Sequence, residues 1–269
     1  MAGVRSGAAV ADDVRRLGVR AGDALMVHAS LRKVGPVEGG ALGLLHALAG
    51  VVGPGGTLMM TLGVHNDWDW VNERPEAERA GLLAGASPFD VLADPAEGDV
   101  GVLAEVFRTR PGTVVSNHPE GRFGASGAHA EALLADQPWD DYYGPGSPLE
   151  RFVALGGRVL RLGADLDTVT VLHYAEYLAP VADKRRVRRY RKVPGPAGPE
   201  VRVVTCLDDS TGIVEQTGED YFALILRAYL GAGRALAIGP VGGATSELLD
   251  AADLVAFGAA WMGEHLSGS

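Results

Sequence analysis

The order of apolar segments predicts an α/β fold: a mixed-sheet core flanked by helices, with an additional hairpin and helical region. Two short, continuous apolar runs, ALMVHAS (24–30) and TLMMTLG (57–63), are bounded by turn residues and have the length of buried strands; segments of helical periodicity lie between them. With 47 % hydrophobic residues, a chain of 269 residues can bury one large core or two smaller ones sharing an interface. The expected organisation is one domain over residues 1–269, open to division into two closely packed lobes with the site between them.

Residues 8–18 carry a helical pattern that ends at LGVRAGD, ahead of the 24–30 strand. A helix over about 40–52 stops at the GPGG turn (53–56), where the second strand starts. Residues 64–100 show little apolar periodicity, and so long an irregular stretch in a compact protein reads as a functional loop. GVLAEVFRT reads as a helix stopped by Pro111 and Gly112, and TVVSN and RFGASG read as strands. In GSPLERFVALGG, Ser147 is placed as N-cap, Pro148 at the first helical position and Glu150 three after the cap, a capping-box signature. The strand GRVLRLGA comes next, residues 187–207 resemble a hairpin around PGPAGP, and helices near 219–230 and 246–265 complete the pattern. No internal repeat interrupts it.

A single cysteine, Cys206, provides neither a disulfide framework nor a cysteine-rich metal cluster. The start of the chain lacks an apolar stretch of signal-peptide length, and no segment approaches the roughly 18 apolar residues of a membrane helix. A cytoplasmic location without membrane contact is the expectation. The net charge of −10 disfavours coating nucleic acid and favours cationic partners. That charge is unevenly spread. Residues 64–100 hold nine acids against Arg74 and Arg79, a balance of −7, whereas KRRVRRYRK (184–192) holds seven bases and no acid. Each block reads either as a solvated face or as a wall, the first for a cationic ligand and the second for a phosphate.

TVTVLHYAEYLA (168–179) places an ionisable ring, His173, in an apolar run with Glu176 three positions on. Read as a helix from 168, with Asp167 or Thr168 as cap, it lines up Thr170, His173 and Glu176 on one stripe. Its β-branched start argues for a strand, which would set His173 and Glu176 on opposite faces. No other histidine among His28, His46, His65, His118 and His129 completes a metal set at ligand spacing, so no metal is expected.

LGADLDTVTVLHYAE followed by DKRRV, together with GDALMVHASLRKVG, GPGGTLMM, SNHPEGRFGASG and GSPLERFVALGG, resembles the aminoglycoside 3-N-acetyltransferase family from about residue 10 to 265. The resemblance implies that family's α/β fold, distinct from the GCN5 type. It also implies transfer of an acetyl group from acetyl-CoA to the 3-amine of a 2-deoxystreptamine aminoglycoside, conferring resistance. His173 is then the candidate general base, oriented by Glu176 or Asp167, with Glu176 preferred. Thr170 is either an oxyanion donor or a residue bonded to its own backbone. Implied cofactor contacts are Ser30, Leu31, Arg32, Val34, Gly35, His118, Ala125 and Gly127, with Lys184 and Arg185 the only part of the basic run within the family pattern. His28 is read equally as a strand residue with a satisfied ring. For the cationic sugar the candidates are Asp67, Trp68, Asp69 and Trp70 of NDWDW, with Asp140, Asp141 and Tyr142. A different amine acceptor, a ping-pong route through Cys206, and a non-catalytic drug or cofactor binder are the competing readings. A monomer or a homodimer fits equally.

Overall fold

The computed structural model describes residues 3–215 and 218–266. In chain order, the first half contains α1 (Gly7–Arg16), β1 (Ala24–Ala29), α2 (Leu31–Val34), α3 (Gly40–Val52), β2 (Thr57–Thr61), α4 (Glu76–Leu82), α5 (Val102–Thr109), β3 (Val114–Val115), β4 (Phe123–Gly127) and α6 (Ala130–Leu134). The second contains α7 (Pro148–Ala154), β5 (Arg158–Leu162), α8 (Leu172–Leu178), β6 (Arg186–Val193), β7 (Glu200–Leu207), α9 (Tyr221–Gly231), β8 (Ala237–Val241), β9 (Ala244–Asp250) and α10 (Ala251–His265). Seven strands form a mixed sheet in the order β3-β4-β2-β1-β5-β9-β8, and β6 and β7 form a separate hairpin. Only β1 with β2 and β1 with β5 run parallel.

Alternation along β1 explains why the sheet is covered on both faces. Ala24 and Met26 join a core with α6 to α10, while Leu25 and Val27 join a second core with α1, α3 and α5. The parallel strands all end toward one side, and the segments that follow β1, β2 and β5 meet there, as expected of a ligand crevice in an α/β sheet. Strand β4 is locked to β2 at its far end by Gly127: φ is +121°, and an added Cβ would lie 2.1 Å from the Gly56 carbonyl oxygen.

Three expectations change. Residues 244–250 form β9 rather than the start of the last helix, which begins only after Asp250 caps it by accepting from Asp253 N at 2.9 Å. Both β8 and β9 lie in a Gly/Pro-rich stretch whose apolar alternation is weak; pairing of β9 with β5, and of β8 with β9, makes them strands. The stretch from 168 is neither helix nor strand at first. Thr168, Leu172, His173 and Tyr174 amides bond three residues back through tight turns, and α8 proper starts at Leu172. The Ser147 cap is present, accepting from Glu150 N at 3.2 Å, but the Glu150 carboxylate reaches Gly146 N, one residue beyond the standard box.

The 64–100 loop contains α4 and short 3₁₀ turns and is pinned by the fully buried Arg122. Its guanidinium donates to the carbonyls of Gly63, Asp94 and Pro95 at 2.8, 2.8 and 2.6 Å, closing a long segment onto the sheet with one side chain.

Candidate active site

Helix α8 carries His173 and Glu176 one turn apart, and α10 holds the helix in place by close approach: a Cβ at Gly258 would meet Leu172 at 2.7 Å. The His173 ring stacks on Tyr143 (4.9 Å between centroids, 14°) and abuts Phe222 edge-on at 4.8 Å, so its plane is fixed. Nδ1 lies 2.8 Å from Glu176 Oε2. A carboxylate only accepts, so Nδ1–H is the donor and Nε2 is the free nitrogen. Glu176 is itself buried, and the Tyr221 hydroxyl donates to its other oxygen. Burial lowers the pKa of His173, but the Glu176 charge and hydrogen bond, with Asp209 and Asp220 behind them, more than reverse this and leave it raised.

The ring is not sealed: 18 % of its side chain is exposed, and clefts reach it from different sides. One, of about 660 Å³, runs along His28, Ser30, Leu31, Arg32, Thr61 and Thr170. Another, of about 940 Å³, is lined by Asp69, Glu73, Glu76, Glu97, Glu120, Tyr142 and Asp208 on its acidic side and by arginines of β6 on the other. A third, of about 220 Å³, takes in Asp167, Asp220 and Tyr221. His173 and Asp209 line all three.

Among the expected residues, Ser30, Leu31, Arg32, Thr170, Asp167, Asp69 and Tyr142 face these clefts. Glu176, rather than Asp167, holds the ring; Asp167 accepts from the Thr168 hydroxyl at 3.2 Å. Several candidates lie elsewhere. Val34 is buried, Gly35 closes α2 with φ +86°, and Ala125 and Gly127 pair with β2 inside the sheet; none of them lines any of the three clefts. His118 is a structural ring, with Nε2 2.9 Å from the Trp139 carbonyl and Nδ1 accepting from Gly121 N, and burial pushes its pKa down to about 4. Asp67 and Trp68 line a smaller neighbouring hollow, and Trp70 stacks on Trp68 at 6.0 Å, 40 % exposed. Asp140 accepts from Thr205 N, and Asp141 pairs with Arg186 at 2.7 Å.

The two charge blocks turn out to be partners. Arg191 pairs with Asp69 and Arg188 with Glu76, so the basic run braces the acidic loop; outside that loop Arg191 also pairs with Glu120 and Arg185 with Asp208. Lys184 donates to the Tyr177 carbonyl at 3.2 Å. Sequence reasoning missed Asp209, which accepts from the Tyr142 hydroxyl at 2.6 Å and pairs with Arg189 at 2.5 Å. Burial raises its pKa, but Arg189 and His173 outweigh this and hold it low. The signal was available in LDDST, a polar turn directly after an apolar strand, where Asp208 accepts from Ser210 N and Thr211 N.

Cys206 is buried, its thiol pushed up to about 12 chiefly by burial and then by Asp209. Among the described residues no group of three or more His, Cys, Asp or Glu side chains is arranged to hold a metal, and no helix is long and apolar enough to cross a membrane.

An imidazole–carboxylate pair at the meeting point of these clefts, on a mixed α/β sheet, defines a two-substrate group-transfer enzyme. The aminoglycoside 3-N-acetyltransferase profile matches residues 26–263, and this chain belongs to that family. It is 40 % identical to aminoglycoside N(3)-acetyltransferase VII of Streptomyces paromomycinus over 96 % of this chain and 91 % of that protein. A solved AAC-IIIb binary complex with CoASH superposes with a TM-score of 0.91 at 38 % identity, covering 99 % of each chain. A sisomicin-bound AAC-VIa superposes with a TM-score of 0.90 at 36 % identity, covering 97 % of this chain and 99 % of that one.

Proposed function

We propose that this enzyme acetylates the 3-amine of 2-deoxystreptamine aminoglycosides by direct transfer from acetyl-CoA, with His173 as general base. The observation that carries this reading is that His173 lines both the cleft of Ser30–Arg32 and the cleft of Asp69 and Asp209. The first cleft suits acetyl-CoA: it offers a hydroxyl, a guanidinium and the backbone of a strand end, and the ring of His28 lines it. The second suits a polycationic sugar, whose ammonium groups exchange water for carboxylates.

Asp209 holds the acceptor amine beside the ring, and Nε2 of His173 takes its proton as the nitrogen attacks the acyl carbon. Glu176 accepts from Nδ1–H throughout and stabilises the imidazolium; Tyr221 keeps Glu176 in place. Thr170 donates to the developing oxyanion, and coenzyme A leaves as the thiol with the proton returned by His173. A ping-pong route is disfavoured because the Cys206 thiol stays protonated at neutral pH.

The test is thiol release with acetyl-CoA and a panel of deoxystreptamine antibiotics, the acetylated nitrogen being located by NMR. His173→Ala is expected to abolish release while still binding CoA. Release at the wild-type rate in that variant would remove His173 from the mechanism.

A further inference from the structure

A polar row lies on the floor of the Ser30–Arg32 cleft. In the sheet His28 stands opposite Arg161, and Arg161 stands opposite Glu247. Residues opposite one another on neighbouring strands share a face, here the one that packs against α8. One step further into the sheet the same row is apolar, with Met26, Val159 and Leu249. Arg161 is fully buried. It pairs with Glu247 at 2.9 Å and donates to the carbonyls of Ala164 and Asp165 at 2.8 Å.

Two nitrogens of this row have no hydrogen-bond partner among the described residues: Arg161 Nε and His28 Nε2. The ring of His28 is therefore not the satisfied strand histidine that its sequence position allows. It is 5 % exposed, yet it lines the same cleft as Ser30, Thr170 and His173. A buried polar atom left unpaired costs about 1–3 kcal/mol, so the row sets desolvated polar groups on the floor of a cleft where a hydrocarbon row would cost nothing.

Burial first, and the Arg161 charge second, push the pKa of His28 down to about 3, so the ring is neutral wherever the enzyme works. A neutral imidazole has one donor nitrogen and one acceptor. Nε2 is sealed and has no hydrogen-bond partner among the described residues, and the neighbouring Arg161 offers only N–H groups, so a proton on Nε2 would be a buried donor left unpaired beside a cation; the bare state of Nε2 is favoured, which leaves the proton on Nδ1.

We propose that His28 is a second catalytic imidazole, one that presents Nδ1–H to the acyl carbonyl oxygen of the bound thioester and steadies the negative charge gathering there as the amine attacks. The proposal rests on the assignment of this cleft to acetyl-CoA. It gives the two rings separate work. His173 takes up the proton of the amine, whereas His28 keeps its proton throughout and forms a hydrogen bond that strengthens as the carbonyl becomes an oxyanion.

Steady-state kinetics with acetyl-CoA and an accepted deoxystreptamine antibiotic, together with calorimetric CoA binding, test it. His28→Leu should lower kcat by about 10²-fold or more, the usual loss for one oxyanion donor, with CoA affinity within about twofold of wild type. His28→Asn puts an amide nitrogen where Nδ1 was and should recover most of kcat; His28→Gln reaches toward the Nε2 position and should not. An unchanged kcat in His28→Leu overturns the proposal, as does a loss confined to the KM of acetyl-CoA with weakened CoA binding, which would make His28 a contact for the pantetheine arm. The wild-type enzyme provides a check that needs no variant: ¹⁵N NMR should show His28 with Nδ1 protonated and Nε2 bare, unchanged between about pH 5 and 8. A bare Nδ1, or titration in that window, overturns it. Failure of the wild-type chain to bind CoA would overturn the cleft assignment and the proposal with it.

Discussion

Glu176→Gln replaces a carboxylate that only accepts with an amide that must donate from one end. Oε2 of Glu176 accepts His173 Nδ1–H at 2.8 Å, and Oε1 accepts the Tyr221 hydroxyl. Whichever way the amide turns, its NH₂ meets a donor, and one of the two bonds is lost or reversed. At 2.8 Å the attraction between imidazolium and carboxylate is about 6 kcal/mol before desolvation, for an effective dielectric near 20. Burial of the ring opposes this and is the largest single influence on His173, so once the Glu176 charge and hydrogen bond are gone its pKa falls. Thiol release measured across about pH 5–9 should show kcat reduced by about 10²–10⁴-fold, with the acid limb moved from above the ordinary histidine value of about 6.5 to below it. The stability change has a definite sign. The folded pKa of His173 is raised, so the pair's contribution is fully present below about 6.5 and is lost as pH rises through the folded value; Glu176→Gln should therefore lower Tm more at pH 6 than at pH 9. A kcat within about threefold of wild type, with the acid limb unmoved, would show that Glu176 does not orient the base.

Asp209→Asn should raise the acceptor KM by about tenfold or more, with a smaller effect on the acetyl-CoA KM, and in the wild type the acceptor KM should rise with added salt, as expected for ammonium–carboxylate pairing in a cleft. Cys206→Ala should retain full activity, and no acetyl-enzyme should be detected by mass spectrometry, because the thiol is buried and protonated. Gly127→Ala combines φ +121° with a Cβ 2.1 Å from the Gly56 carbonyl oxygen; soluble yield should collapse, or thermal melting should report a loss of about 3 kcal/mol or more.

Much of the molecule is legible in its sequence because the signals are local. The runs ALMVHA and TLMMT are apolar over strand length and flanked by turns, Ser147 and Pro148 mark a helix start, and His173 with Glu176 at a spacing of three meets on any helix that contains both. Local pattern fails where the deciding partner is distant. Nothing in AIGPVGGATSELLD distinguishes strand from helix; pairing of β9 with β5, more than 70 residues earlier, and of β8 with β9 settles it. The acidic loop and KRRVRRYRK read as two separate surfaces, yet Arg191 with Asp69 and Arg188 with Glu76 show them to be halves of one structure. Gly127, Ala125 and His118 sit in a motif that resembles a cofactor segment, but the chain uses them to close the sheet and fill its core. His28 shows the division most clearly. Its place in a buried strand follows from the apolar residues around it, but its unpaired Nε2 and its neutral charge depend on how deeply the fold buries the ring and, second, on Arg161, placed opposite by strand register. Periodicity and capping act within a few residues and can be read directly from the chain, whereas desolvation, pairing and charge coupling depend on which residues tertiary contact brings together, and only the folded structure determines that.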